Sequence, residues 1–320
     1  MRVRALALGF WMAFCGLAFG NSLYVSDASL FTVQVFDATT GSLTGSLTPT
    51  GGWGTPTGIA VASDGTVYVA DSWNNVIDRF DSLGNFLGVF ASSGLFEPTG
   101  LAFGPDGFLY VANYGPDGSG YITRYDSSGN PVDPTPFVPS STGLSYPGGL
   151  AFGPNGNLYI SDSGNSAIDE VILPTGTLST LVGPGCPATP FSNPSGVAFG
   201  PDGNLYVADE GAGCGAVGSG VYQYGADGSL RGAFIAPNTL SSPIDLAFGP
   251  GGNLFVTDSV GGVTEFNRTT GAELADFAPI GGTLINPQYL AFSTPVPEPA
   301  TLALIGIGLA GLTCLRRRRR

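Results

Sequence analysis

Five times along the chain an apolar run opens on proline, breaks at a turn, and resumes as a second apolar run ending in Asp or Asn. The copies read PTGIAVASDGTVYVAD (56–71), PTGLAFGPDGFLYVAN (98–113), PGGLAFGPNGNLYISD (147–162), PSGVAFGPDGNLYVAD (194–209) and PIDLAFGPGGNLFVTD (243–258). Runs this short, rich in Val, Leu, Tyr and Phe and bounded by turn residues, are paired strands. Successive leading prolines lie 42, 49, 47 and 49 residues apart, the length of a four-stranded propeller blade.

The turn residues Asp64-Gly65, Asp106-Gly107, Asn155-Gly156, Asp202-Gly203 and Gly251-Gly252 predict type I′ turns. A second hairpin follows in each blade, as in RFDSLGNFLGVF (79–90) and RYDSSGNPV (124–132). Its loops, Asp81 to Gly84 and Asp126 to Gly129, suit a type I turn closed by a left-handed glycine.

The chain ends supply a further unit. PQYLAF (287–292) is a first strand with no second, and SLYVSD (22–27) is a second strand with no first. Joined, they make a sixth blade that removes the open sheet edge. The expected fold is therefore all-β, a six-bladed β-propeller over residues 21–293. Its ring is closed by a first strand from the C-terminus and the remaining strands from the N-terminus. Ala60, Ala102, Ala151, Ala198, Ala247 and Ala291 fall in register on the first strands, where small side chains suit convergence on one axis.

Composition agrees with many short strands and tight turns: 51 Gly, 25 Pro and 43% apolar residues in 320. Charge then narrows the function. Of eleven basic residues only Arg79, Arg124, Arg231 and Arg268 lie between the chain ends, against 24 acidic ones, and lysine and histidine are absent. Nucleic-acid binding needs a basic footprint and is excluded. Without histidine there is no Ser-His-Asp triad, no Cys-His pair and no histidine-bound metal. The GCGAVG stretch at 213–218 runs into another strand, not a helix, and is no dinucleotide loop.

Both ends read as addresses. Residues 1–20 carry Arg2 and Arg4, an apolar run and small residues at Ala18 and Gly20, as a cleavable signal peptide does. In the tail, 294–320, Ala300 to Leu315 is uninterrupted apolar sequence, a short transmembrane helix, followed by Arg316 to Arg320. Arginines there stay cytoplasmic and leave the body outside. Pro297-Glu298-Pro299, the helix and the arginine cluster in that order resemble the PEP-CTERM sorting signal. That resemblance implies an exosortase-type processing enzyme as partner and at least transient anchoring in the membrane. It also implies delivery to the cell surface or extracellular matrix of a Gram-negative-type bacterium.

The blade pattern P-x-G-[ILV]-A-[FV]-x-x-[DN]-G-x-[LV]-Y-[VI]-[AS]-[DN] resembles NHL repeats and the related gluconolactonase-like propellers. Asp27, Asp71, Asn113, Asp162, Asp209 and Asp258 close every second strand and form an expected polar ring at one channel mouth. Two roles suit them. They cap neighbouring loops, helped by Asn74, Asn75 or Asn165, or they hold a hard cation such as calcium. For the second role the candidate ligands are Asp162, Asp209, Glu210 and Asp258. The alternative function is then a divalent-metal (Ca)-dependent lactonase-like hydrolase with its site at the channel mouth, although the ligand Glu such enzymes place near the start of the ring has no counterpart before Glu97. Cys186 and Cys214 fall in loops on one face and are expected to form a disulfide in an oxidising exterior. Trp53 and Trp73 are candidate contacts on the same face. The first expectation for function is a non-enzymatic, monomeric module without a cofactor, binding an envelope protein or extracellular polysaccharide.

Overall fold

The computed structural model describes residues 22–184, 192–211 and 218–293, and in them the chain forms six antiparallel sheets around one axis. Blades are numbered here from the composite one. Blade one takes its inner strand, Pro287–Phe292, from the far end of the chain and pairs it with Ser22–Asp27, with Leu23 opposite Phe292 and Tyr24 opposite Ala291. The inner strands of blades two to six are Pro56–Val61, Pro98–Phe103, Pro147–Phe152, Pro194–Phe199 and Pro243–Phe248. Each packs against the inner strand of the next blade, and the last packs against Pro287–Phe292, so the ring is closed.

Two features of the repeat make that packing close. The hydroxyl at the second inner-strand position reaches the proline carbonyl of the next blade: Thr57 to Pro98 at 2.9 Å, Thr99 to Pro147 at 2.8 Å, Ser195 to Pro243 at 3.0 Å. Glycine at the third position lets the neighbouring backbone approach, since a Cβ on Gly100 would stand 2.1 Å from the Gly148 carbonyl oxygen. Between blades the core is aromatic. Tyr68, Tyr110, Tyr159, Tyr206 and Phe255 each meet a phenylalanine of the adjoining inner strand edge to face, with ring centroids 4.8–5.2 Å apart.

The first hairpin turns differ from the type I′ expectation. Gly65, Gly107, Gly156, Gly203 and Gly252 have positive φ, whereas the residues before them do not. Each loop is a type I turn closed by a left-handed glycine, with Gly107 N bonded to the Gly104 carbonyl. Proline in GPDG and GPNG fixes the first central φ near −65°, which type I′ cannot accept. The second hairpins at Gly84 and Gly129 follow the type I expectation.

Blade three keeps three strands. Its fourth is broken by Pro131, Pro134 and Pro136 into isolated bridges, Tyr125 to Pro131 and Ile122 to Val138. Arg124 holds this segment. Its guanidinium grips Asp133 at 2.6 and 2.9 Å and lies 4.0 Å from the Phe137 ring centroid. Arg124→Ala is expected to cost about 2 kcal/mol and to raise amide exchange at residues 131–138 above that of the other outer edges. Equal exchange in variant and parent would contradict it.

Candidate functional site

The six residues that end the second strands lie beneath the loops, and none of them lines the cavities of the channel. Each is 3% exposed or less. Their carboxylates accept amides from the loop that leads into their own inner strand. Asp71 takes Gly54 N at 2.8 Å and Thr55 N at 3.0 Å, with the Asn74 amide group at 2.9 Å. Asp162 takes Ser145 N and Asn165 N, while Asp258 takes Ser241, Ser242, Val260 and Gly261. Asn113 accepts Phe96 N and turns its amide group to the Val111 carbonyl and the Thr123 hydroxyl. Asp209 holds Ser192 N and Asn193 N through one oxygen, and burial pushes its carboxyl up from the usual range.

Asp162, Asp209, Glu210 and Asp258, read from sequence as cation ligands, are not gathered at one point. They belong to three blades, and the aspartates are engaged by their own loops. Among the described residues no three Asp, Glu, His or Cys side chains lie close enough to share a metal ion.

The residue one step further along the chain reaches the mouth instead. Ser72, Tyr114, Ser163 and Glu210 line an upper cavity of about 250 Å³ together with Thr57, Thr99, Ser195 and Gln288. Burial, with Asp209 nearby, pushes the Glu210 carboxyl up. Burial does the same to the Tyr114 phenol, assisted by Glu210 and Glu97.

Asp245 and Tyr289 occupy the middle of the channel. Both stand at the third inner-strand position, which is Gly58, Gly100, Gly149 and Gly196 in the other four blades. Tyr289 lines both the upper cavity and a lower one, and Asp245 lines the lower. Asp245 Oδ2 accepts Leu290 N at 3.1 Å, and its own amide donates to the Thr257 hydroxyl at 2.9 Å. Burial raises its carboxyl to about 7, opposed by the amides of Leu290 and Leu246. These two residues do not recur from blade to blade. Their signal in the sequence is a departure, the loss of glycine from P-x-G in PIDLAF and PQYLAF.

On the loop face, Trp53 and Trp73 part company. Trp53 donates to the Leu47 carbonyl at 2.9 Å and packs on Phe80, whereas Trp73 is 78% exposed. Phe31, 55% exposed, joins them around a depression of about 540 Å³ with Gly51, Gly52 and Asn74. Cys186, Cys214, the leader (1–20) and the tail with Pro297, Glu298, Pro299 and the segment 300–315 expected to be helical lie outside the described residues. Among the described residues no helix is long and apolar enough to cross a membrane.

Comparison with known proteins supports this picture of the body and of the tail. Residues 54–78, 144–168 and 191–214 match the NHL repeat, and residues 295–320 match the PEP-CTERM protein-sorting motif. No curated protein sequence matches the chain. Among solved structures, the chain resembles one from a nidogen/laminin complex, with a TM-score of 0.69 at 16% identity, over 86% of this chain and 99% of that one. It also resembles virginiamycin B lyase from Staphylococcus aureus, with a TM-score of 0.59 at 18% identity, over 86% and 88%. A protein of unknown function from Bacteroides caccae gives 0.64 at 15%, over 86% and 99%. At such identities the likeness shows the fold alone.

Proposed function

We propose that this NHL-repeat propeller with a PEP-CTERM sorting motif is an exported, non-enzymatic module. In this reading it binds neutral extracellular polysaccharide through the loop face of blades one and two. The observation that carries the reading is the exposed pair Trp73 and Phe31. Phe31 has φ 50°, and the same turn position is Asn75, Ser166 and Gly262 in blades two, four and six. A bulky residue in the left-handed region costs about 1–2 kcal/mol, and this one recovers little by burial. Flat, exposed aromatic faces suit the C–H faces of sugar rings.

Charge supports a neutral ligand. Arg79, Arg124, Arg231 and Arg268 all belong to the end of their blades remote from the capping aspartates. The loop face meanwhile carries Glu97 and Glu210 at the channel mouth. The sorting motif supports processing by an exosortase-type enzyme and delivery to the surface or matrix, where such a ligand is met.

Affinity electrophoresis of the full chain through gels containing neutral glucans and mannans tests the reading. Retardation is expected, and Trp73→Ala should weaken it about tenfold or more. A wild-type chain that migrates freely in every neutral polysaccharide, or a Trp73→Ala chain retarded as much as wild type, would remove it.

A further inference from the structure

The two halves of the channel differ in chemistry. Below Tyr289 the inner strands end in Phe103, Phe152, Phe199, Phe248 and Phe292, with Val61 in the remaining blade, around a funnel of about 580 Å³ whose side chains are mainly apolar and whose polar lining is largely backbone. That volume suits a small-molecule site. Asp245 is the single carboxylate among the described residues lining the funnel, and no arginine lines it.

The fold does not require a carboxylate at that point, because four blades are built with glycine there. A buried carboxylate with no counter-ion is expensive to ionise, and the backbone amides of Leu290 and Leu246 offset that only in part. Its neighbours across the inner strands are Gly196, on whose missing Cβ Asp245 encroaches, and Tyr289 at the narrow end.

We propose that the funnel binds a small organic cation with an apolar body. Its ammonium sits against Asp245 and its hydrocarbon lies among the phenylalanines. Once the carboxyl is ionised, above about pH 7, an anion is repelled by it, and a neutral apolar molecule leaves it uncompensated. The ammonium alone satisfies both parts of the lining, by a charge-assisted hydrogen bond at one end and apolar burial at the other.

Ligand-observed NMR titration of the full chain at about pH 8 with hexylammonium and with 1-hexanol separates the two contributions, because the hydrocarbon is the same. Hexylammonium is expected to bind at least about tenfold more tightly. Asp245→Asn and Asp245→Gly should bring it down to the level of the alcohol. The glycine variant restores the residue native to four blades, and its melting temperature verifies the fold. No binding of hexylammonium, equal binding of the two probes by wild type, or undiminished ammonium binding in either variant would overturn the proposal.

Discussion

Asp27→Ala should destabilise the propeller more than the loss of any single loop cap elsewhere in the ring. The Asp27 carboxylate accepts Ser29 N and Leu30 N at 3.0 and 2.9 Å from its own hairpin. It also accepts Ile285 N and Asn286 N at 2.6 and 3.1 Å from the opposite end of the chain. It is buried and holds the loop that delivers the closing strand, Pro287–Phe292. Alanine leaves four amides to find other partners, at about 3–5 kcal/mol in all, since hydrogen bonds to an ionised acceptor are the strong ones. Asp27→Asn should fall in between, because an asparagine in this position, as at Asn113, accepts with a single oxygen. Thermal unfolding gives the magnitude, and hydrogen exchange gives the place. Amides of residues 285–292 should exchange faster than those of the other inner strands. Uniform protection across all six inner strands in the alanine variant would show that this carboxylate does not hold the closure.

The second large effect is a fall in stability as pH rises from about 4 to 8. Asp78 and Asp169 are each 3% exposed and stand two residues along from the caps Asp71 and Asp162, on the neighbouring strand. Burial, with the adjacent cap, raises Asp78 to about 6; burial, with Asp162 nearby, raises Asp169 to about 7. In the unfolded chain both ionise near 4. Between those values the folded state holds more protons than the unfolded state, so stability drops with increasing pH. The contribution is complete below about 4 and gone once pH passes 6 for Asp78 and 7 for Asp169. The two losses have the same sign and add as pH rises.

Asp245 adds a slope of the same sign. Opposing it at acid pH are the turn carboxylates Asp37, Asp81, Asp126 and Asp227, which hydrogen bonds from their own loops hold low. Their contribution is lost as pH falls below the carboxylate range, so maximal stability is expected near about pH 4, where the two opposing slopes meet. The double variant Asp78→Asn, Asp169→Asn should melt higher than wild type at pH 8 and show a much flatter profile from 5 to 8. An unchanged profile would show that these two carboxyls ionise normally in the folded chain.

Blade number, ring closure and the capping aspartates were legible in the sequence because each is written in local repetition. A strand, its turn and its partner lie within sixteen residues, so PTGLAFGPDGFLYVAN specifies its own hairpin. The cap is part of that unit. Asp71 binds Gly54 N and Thr55 N, Asp258 binds Ser241 N and Ser242 N, and Asp27 binds the amides of the equivalent pair before the inner-strand proline, Ile285 and Asn286. Two local details were misjudged. Proline in the GPDG turn excludes type I′, and prolines 131, 134 and 136 prevent a regular fourth strand in blade three.

Only the tertiary structure decided what the channel and the loop face present. Their residues come one or two from each blade, some 45 positions apart, and no local period says which of them meet. Asp245 and Tyr289 become neighbours because inner strands from blades six and one converge on the axis. Glu210 rather than Asp209 faces the mouth because the aspartate is taken by its loop amides. Trp53 and Trp73 look alike in sequence, yet Leu47 and Phe80 claim one and solvent meets the other. Repetition determines the scaffold, since identical units pack identically. Departures from it gain their meaning only when closure of the ring puts distant residues side by side.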